Sequence, residues 1–214
     1  GTAGGVLPGL GLFLGGDHSI AQVAGSKGSI THSRMADVFF QMVFVATSMS
    51  IVSGAVAERM KLWSFLLFAV VMTGFIYPVA GFWHWGGGFL QRQGFLDFAG
   101  SGVVHLAGAS AALAGILLLG ARKGKFGKRP DGSIQVKAVP GSNMPLAALG
   151  TMILWFGWFG FNGGSLLKVG DIAAANSVAL IFLNTNLAAA GGGLGALVLA
   201  KLWFGKADLT MGLN

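Results

Sequence analysis

The chain has no cysteine. Disulfides, thiolate metal sites and cysteine nucleophiles are therefore closed to it. Charge is also scarce, at 10% of the 214 residues, where an ordinary soluble domain carries about a quarter. So few charges cannot cover a water-exposed surface. His18, His32 and His84 show no H-E-x-x-H or comparable ligand spacing, so a metal site is not expected. No G-x-x-x-x-G-K-[ST] phosphate loop occurs, which removes an ATP-driven step. Gly191-Gly192-Gly193 lacks the strand and helix context of a dinucleotide fold. No cofactor is expected on these grounds. The first residues, Gly1-Thr2-Ala3-Gly4-Gly5, have no initiator Met and no charged region before a short apolar core. They do not read as a signal peptide, and both ends read as those of a segment cut from a longer protein.

What is present is apolar. Hydrophobic residues make up 54%, with 37 Gly, 17 Phe and 6 Trp, and the mean hydropathy is +0.72. A bilayer core takes about 20 apolar residues as helix. Five stretches qualify, at about 35–57, 62–85, 98–120, 144–162 and 172–204. The last is long enough for tilt or for an extension beyond the membrane. Residues 1–34 are rich in Gly, Ser and Thr and read as an extramembrane loop, and 207–214 as the start of a next segment.

The net charge of +7 does not point to nucleic acid, because the basic residues sit in short connectors between apolar runs. With five spans, one side collects Arg59, Lys61, Arg122, Lys123, Lys125, Lys128, Arg129, Lys137, Lys201 and Lys206. The other side has only Lys27, Arg34, Arg92 and Lys168. Cytoplasmic loops carry the lysine and arginine excess, so the first loop is expected outside and the chain exits inside. Small residues recur at four-residue spacing in the third stretch, as Ala107, Ala111 and Gly115 and as Gly108 and Ala112, and Ala188 to Gly193 form a smooth patch in the fifth. Such surfaces let membrane helices approach closely.

Polar groups inside spans are the starting point for function. His105 lies inside the third span. It is either a histidine bonded to a neighbouring helix or a group that exchanges protons or hydrogen-bonds a neutral amine. Asp97 begins the same helix, where a carboxylate ordinarily caps free N–H groups. Phe40 and Phe44 share a helix face. By default such a pair is core or lipid-facing. Trp83 and Trp85 read as an interfacial belt. Trp155 and Trp158 share a face with Phe161 three residues on, and Ser165, after Gly163-Gly164, reads as a loop residue.

As strings these residues say more. Asp97 to His105, D-F-A-G-S-G-V-V-H, closely resembles the D-F-A-G-x-x-V-V-H signature of the ammonium transporter family. Trp155 to Ser165, W-F-G-W-F-G-F-N-G-G-S, and Gly54 to Arg59, G-A-V-A-E-R, resemble that family's segments too, in the same order and over nearly the whole chain. The resemblance implies an all-α polytopic transmembrane helix bundle. In full it is an inverted-repeat, eleven-span architecture assembled as a homotrimer, with this chain matching the third to seventh spans. It implies Trp85, Ser165 and Phe44 as a vestibule for ammonium, with Trp83 a rival to Trp85. It also implies Phe44 and Phe161, beside Phe40, as a pore gate, His105 as the first of two pore histidines, and Asp97 as a structural group near the recruitment site. The second histidine lies in a later span. The expected partners are ammonium or ammonia, the lipid bilayer and a PII-type regulatory protein on the cytoplasmic face, in a plasma-membrane location.

These residue types suit the problem of telling ammonium from potassium, because ammonium can give up a proton and potassium cannot. An aromatic face attracts a cation by about 0.5–2 kcal/mol. An apolar constriction disfavours the charged form, and a neutral molecule crosses it more cheaply than an ion. The expected activity is recruitment, deprotonation, ammonia conduction and separate proton transfer. Alternatives are an ammonium sensor coupled to a signalling module and an electroneutral gas channel of the Rh branch, against which Trp85 and the W-F-G-W string argue. An intramembrane hydrolase would need a nucleophile–base pair, and none is evident near His105.

Overall fold

The computed structural model describes residues 5–8 and 34–214. The remainder of the N-terminal loop, with His18, Lys27 and His32, lies outside the described residues. Among the described residues five helical stretches are long and apolar enough to cross a membrane: Ala36–Val56, Leu62–Arg92, Ser101–Leu119, Met144–Gly164 and Ile172–Phe204. The chain divides into two compact units, Gly1–Val139 and Pro140–Asn214.

The first unit opens with helix α1, Arg34–Val56. A charged turn leads into α2, Leu62–Val71, which runs through a π-helical turn, Met72–Ile76, into α3, Tyr77–Trp85. Proline has no N–H, and its ring collides with the carbonyl four residues back in an α-helix. The wide turn falls directly before Pro78, and Tyr77 N–H reaches back to Met72 O. A short helix, α4, Phe89–Arg92, leads to residue 97. The next span begins with a second π turn, Ser101–Leu106, and continues as α5, Ala107–Leu119. It starts three residues later than the apolar run suggests, because 97–100 are folded into the cap of that helix.

Helix α5 packs against α1 through its small residues. A Cβ on Gly108 would lie 2.7 Å from Ser48 O, and one on Gly115 would lie 2.9 Å from Val56 Cγ1. Ala112, between them, is buried. At the far end Arg59 ties the two helices together. Its guanidinium donates to Ala55 O on α1 and, at 2.6 Å, to Gly120 O after α5. A cation on C-terminal carbonyls satisfies orphan acceptors and opposes the helix dipole. Glu58, at φ +64°, pairs with Arg122 at 3.1 Å. The A-E-R string is thus a two-helix clasp. An apolar groove of about 750 Å³ runs beside this pair, lined by Val52, Phe68, Ile76, Val103 and Ala111 among others. After α5 the chain forms an antiparallel hairpin, β1 Phe126–Lys128 and β2 Ile134–Val136.

The second unit contains α6, Met144–Gly164, α7, Ile172–Phe204, and a terminal helix α8, Leu209–Leu213. Asn143 and Asp171 cap α6 and α7 by accepting N–H bonds from Leu146 and Ala174. The two helices meet where Asn162 Nδ2 donates to Thr185 Oγ1 at 2.9 Å. There Gly163 leaves no room for a Cβ against the Phe182 ring. Large apolar side chains stand outward, Leu118 at 87% and Phe156 at 80% exposure. This suits a lipid solvent, which is as apolar as leucine itself.

Candidate functional site

Five of the seven residues singled out in the sequence gather at one end of the first unit. They do so because Asp97 is a hub. Its carboxylate accepts three backbone N–H bonds, Gly100 to Oδ1 at 2.7 Å and Gly102 and Val103 to Oδ2 at 2.8 and 2.7 Å. Those are the free donors of the incoming helix, and a negative charge there also complements the dipole. The backbone of Asp97 is used as well. Trp85 Nε1–H donates to Asp97 O at 3.2 Å, and His84 Nε2 lies 3.0 Å from Asp97 O and 3.1 Å from Asp97 N. Asp97 and His84 are both buried, each 8% exposed.

Trp85 is held from several sides. Its ring N–H is committed to Asp97, and it meets Phe44 edge-on with centroids 6.1 Å apart. Gly100 closes in on the ring edge, since a Cβ there would lie 3.1 Å from Trp85 Cη2 and overlap Val104. Gly100 has φ +100°, the left-handed region that glycine enters without strain. Phe44 is itself 2% exposed, and the Phe40 ring leans on it, tilted by 59° with centroids 4.5 Å apart. Trp83 behaves differently. Its indole N–H donates to Val6 O at 2.8 Å and its ring leans on Phe89 at 5.4 Å. Only one of the two rival tryptophans therefore contacts Asp97 and Phe44.

His105 sits in the second π turn, where such single wide turns often mark functional positions. Its Nδ1 lies 3.2 Å from Gly100 O. A carbonyl only accepts, so Nδ1 carries a proton, and the neutral imidazole then has its lone pair on Nε2. Trp85, Asp97, Gly100 and His105 are thus joined through one short stretch of backbone.

Phe161 and Ser165 belong to the second unit. Phe161 lies 6.0 Å from the Trp158 ring. Ser165 ends α6 and donates its hydroxyl to Phe161 O at 2.8 Å.

His84 is the residue that sequence reasoning passed over, having weighed it only as a metal ligand. Its Nε2 lies 3.0 Å from Asp97 O and 3.1 Å from Asp97 N, and its Nδ1 is buried without a hydrogen-bond partner among the described residues. The ring packs against Phe95 at 5.2 Å and Trp85 at 5.9 Å. Its position directly before Trp85, at the end of an apolar helix, was the only signal available.

The chain is similar to known proteins over most of its length. Residues 7–214 match the family model for the Ammonium Transporter Family. The chain is 42% identical to ammonium transporter Amt2 of Archaeoglobus fulgidus, over 96% of this chain and 45% of that protein. It is 39% identical to an ammonium transporter of Aquifex aeolicus, over 86% of this chain and 40% of the relative. It is 40% identical to an ammonium transporter of Bacillus subtilis, over 77% and 36%. The chain thus spans less than half the length of these curated relatives. Its five apolar helices and its family make it an integral, multi-pass membrane protein. The match runs through both units and through every motif that builds the Asp97 hub, and the chain belongs to the Ammonium Transporter Family.

Proposed function

We propose that the protein carrying this chain moves ammonium across a membrane, and that the Trp85 end of the first unit recruits the ion. The observation that carries this reading is the fixing of Trp85. With its N–H bound to Asp97 O and its edge against Phe44, the indole is left with its π face as the attractive surface for a cation. Asp97 is occupied by three N–H bonds, so it contributes negative potential rather than a ligand oxygen. In the second unit Ser165 takes the role the resemblance gives it, an acceptor for an N–H of the ion, and Phe161 takes that of the second gate ring.

Phe40 and Phe44 form an apolar barrier beside the recruitment position. Entry into such a constriction disfavours the charged form, lowers the ammonium pKa and favours loss of a proton. Neutral ammonia then passes at lower cost than the ion. His105, with its lone pair on Nε2, accepts a hydrogen bond from the passing amine. The proton travels separately. A homotrimer in the cytoplasmic membrane, regulated by a PII-type protein, completes the proposal.

Uptake of labelled methylammonium by proteoliposomes tests the recruitment step. Removing a cation–π contact of about 0.5–2 kcal/mol raises the half-saturation concentration about 2- to 30-fold in Trp85→Leu, at tenfold per 1.4 kcal/mol. Trp83→Leu, whose ring is engaged with Val6 and Phe89, leaves it unchanged. Equal effects of the two substitutions would sink the assignment of Trp85.

A further inference from the structure

His84 is buried, and recruitment, gating and conduction give it no task. It is joined to the recruitment end nonetheless. Adjacent residues of a helix point about 100° apart, yet His84 and Trp85 converge on the backbone of Asp97. Trp85 Nε1–H donates to Asp97 O at 3.2 Å. His84 Nε2 lies 3.0 Å from the same oxygen and 3.1 Å from Asp97 N. A ring nitrogen of neutral imidazole either donates or accepts. Carrying the proton, Nε2 donates to Asp97 O. Carrying the lone pair, it accepts from Asp97 N–H. In either tautomer His84 holds the residue that holds Trp85.

The two rings are also neighbours. Their centroids lie 5.9 Å apart at 43°, and Phe95 meets the His84 ring edge-on at 5.2 Å. Packing alone does not call for a histidine here. Its Nδ1 is buried without a hydrogen-bond partner among the described residues, and an orphaned polar atom is a cost that an apolar side chain avoids. The indole gives the histidine a purpose. One N–H···O bond fixes one atom of the indole and leaves the ring plane free to rock about it. Attraction for a cation belongs to the ring face, so the plane decides how well that face is presented. A binding group already held in its working orientation loses less freedom when the ligand arrives.

We propose that His84 is a positioning residue for cation recruitment. By holding the Asp97 backbone and bearing on the indole, it fixes the plane in which Trp85 presents its face. The proposal rests on the reading of Trp85 as the recruiting ring.

The test uses the protein that carries this chain, in proteoliposomes, with tryptophan labelled by nitrogen-15 in the indole. The Trp85 N–H signal in solid-state NMR is identified by its loss in Trp85→Leu. It is expected to shift in His84→Leu and to stay near the parent in His84→Gln, whose amide ends as many bonds from the backbone as Nε2. His84→Asn ends one bond short and falls between. Half-saturation for methylammonium is expected to follow the same order. It rises about 2- to 5-fold in His84→Leu, within the loss of the whole cation–π contact, while the maximal rate per folded protein holds. In a Trp85→Leu background His84→Leu adds no further rise, because a residue acting through another is not additive with it. An unmoved Trp85 signal in His84→Leu overturns the proposal, as does an equal rise with and without Trp85. If the leucine variant does not fold, identical Trp85 signals in the asparagine and glutamine variants overturn it. A Trp85→Leu protein with parental half-saturation overturns the recruitment reading instead, and the indole signal still decides whether His84 positions the ring.

Discussion

Asp97 is the residue whose loss the geometry prices most directly. Its carboxylate accepts N–H bonds at 2.7, 2.8 and 2.7 Å, and two of the three bonds are buried. Hydrogen bonds to a charged group contribute about 1.5–3 kcal/mol each, though bonds to one carboxylate are not additive. Asp97→Ala leaves three donors orphaned at a helix start buried inside the unit. The expected loss is about 3–5 kcal/mol, the range for breaking a buried, hydrogen-bonded charge. An ordinary exposed N-cap costs about 0.5–2 kcal/mol. Asp97→Asn keeps one acceptor oxygen, enough for the Gly100 bond or for the Gly102–Val103 pair, and should lose about 1.5–3 kcal/mol. Denaturant titration in mixed micelles, followed by tryptophan emission, gives both values. If the alanine variant does not fold, the asparagine variant still reports the middle of the scale. An Asp97→Ala protein unfolding within about 0.5 kcal/mol of the parent, the range of an ordinary surface substitution, would refute the hub.

The remaining expectations follow from the same geometry. Gly100→Ala forces a side chain into φ +100° and against Val104 and Trp85, so a loss of at least about 1–2 kcal/mol should accompany a change in tryptophan emission, whereas unaltered emission would contradict the packing. His84→Ala removes the ring nitrogen that meets the Asp97 backbone and should lower thermal stability, with His84→Asn recovering part of it by offering a side-chain amide that can donate and accept; equal instability of the two would deny the hydrogen bond. Asp171, bonded first to Lys168 and then to Ala174 N–H, titrates below the usual carboxylate range. Because its folded pKa is depressed, the stability it contributes is present above about pH 3.9, the unfolded value, and is lost as pH falls through the lower folded value. A carbon-13 carboxyl titration reads this directly, and a midpoint at the unfolded value would exclude the cap and ion pair.

The bundle was legible because lipid permits long uninterrupted apolar runs, which composition alone exposes. The small-residue spacing in α5 was legible in part: Gly108 and Gly115 close on α1 and Ala112 is buried, whereas Ala107 and Ala111 line the apolar groove. Other features depend on contacts that periodicity does not encode. The role of His84 comes from a partner thirteen residues away. That of Arg59 comes from Gly120, sixty-one residues away. The hairpin was read as a basic connector because its strands are three residues each, too short to show alternation, although Arg129-Pro130-Asp131-Gly132 is a turn sequence. The π turn of α2–α3 could be anticipated only from Pro78. In the candidate site the motifs named residues, and the hydrogen bonds of Asp97 explain why D-F-A-G must precede V-V-H: the carboxylate caps the helix that carries the histidine, and glycine alone fits beside Trp85.

The most direct measurement is current evoked by ammonium in proteoliposomes on a solid-supported membrane, using the protein that carries this chain. Ammonium is expected to give a current and potassium none. Trp85→Leu should shift the concentration dependence upward, and His105→Ala should reduce the current or its selectivity. A current of equal size for potassium, or one left unchanged with selectivity intact in His105→Ala, would contradict recruitment at Trp85 followed by conduction of the neutral amine past His105.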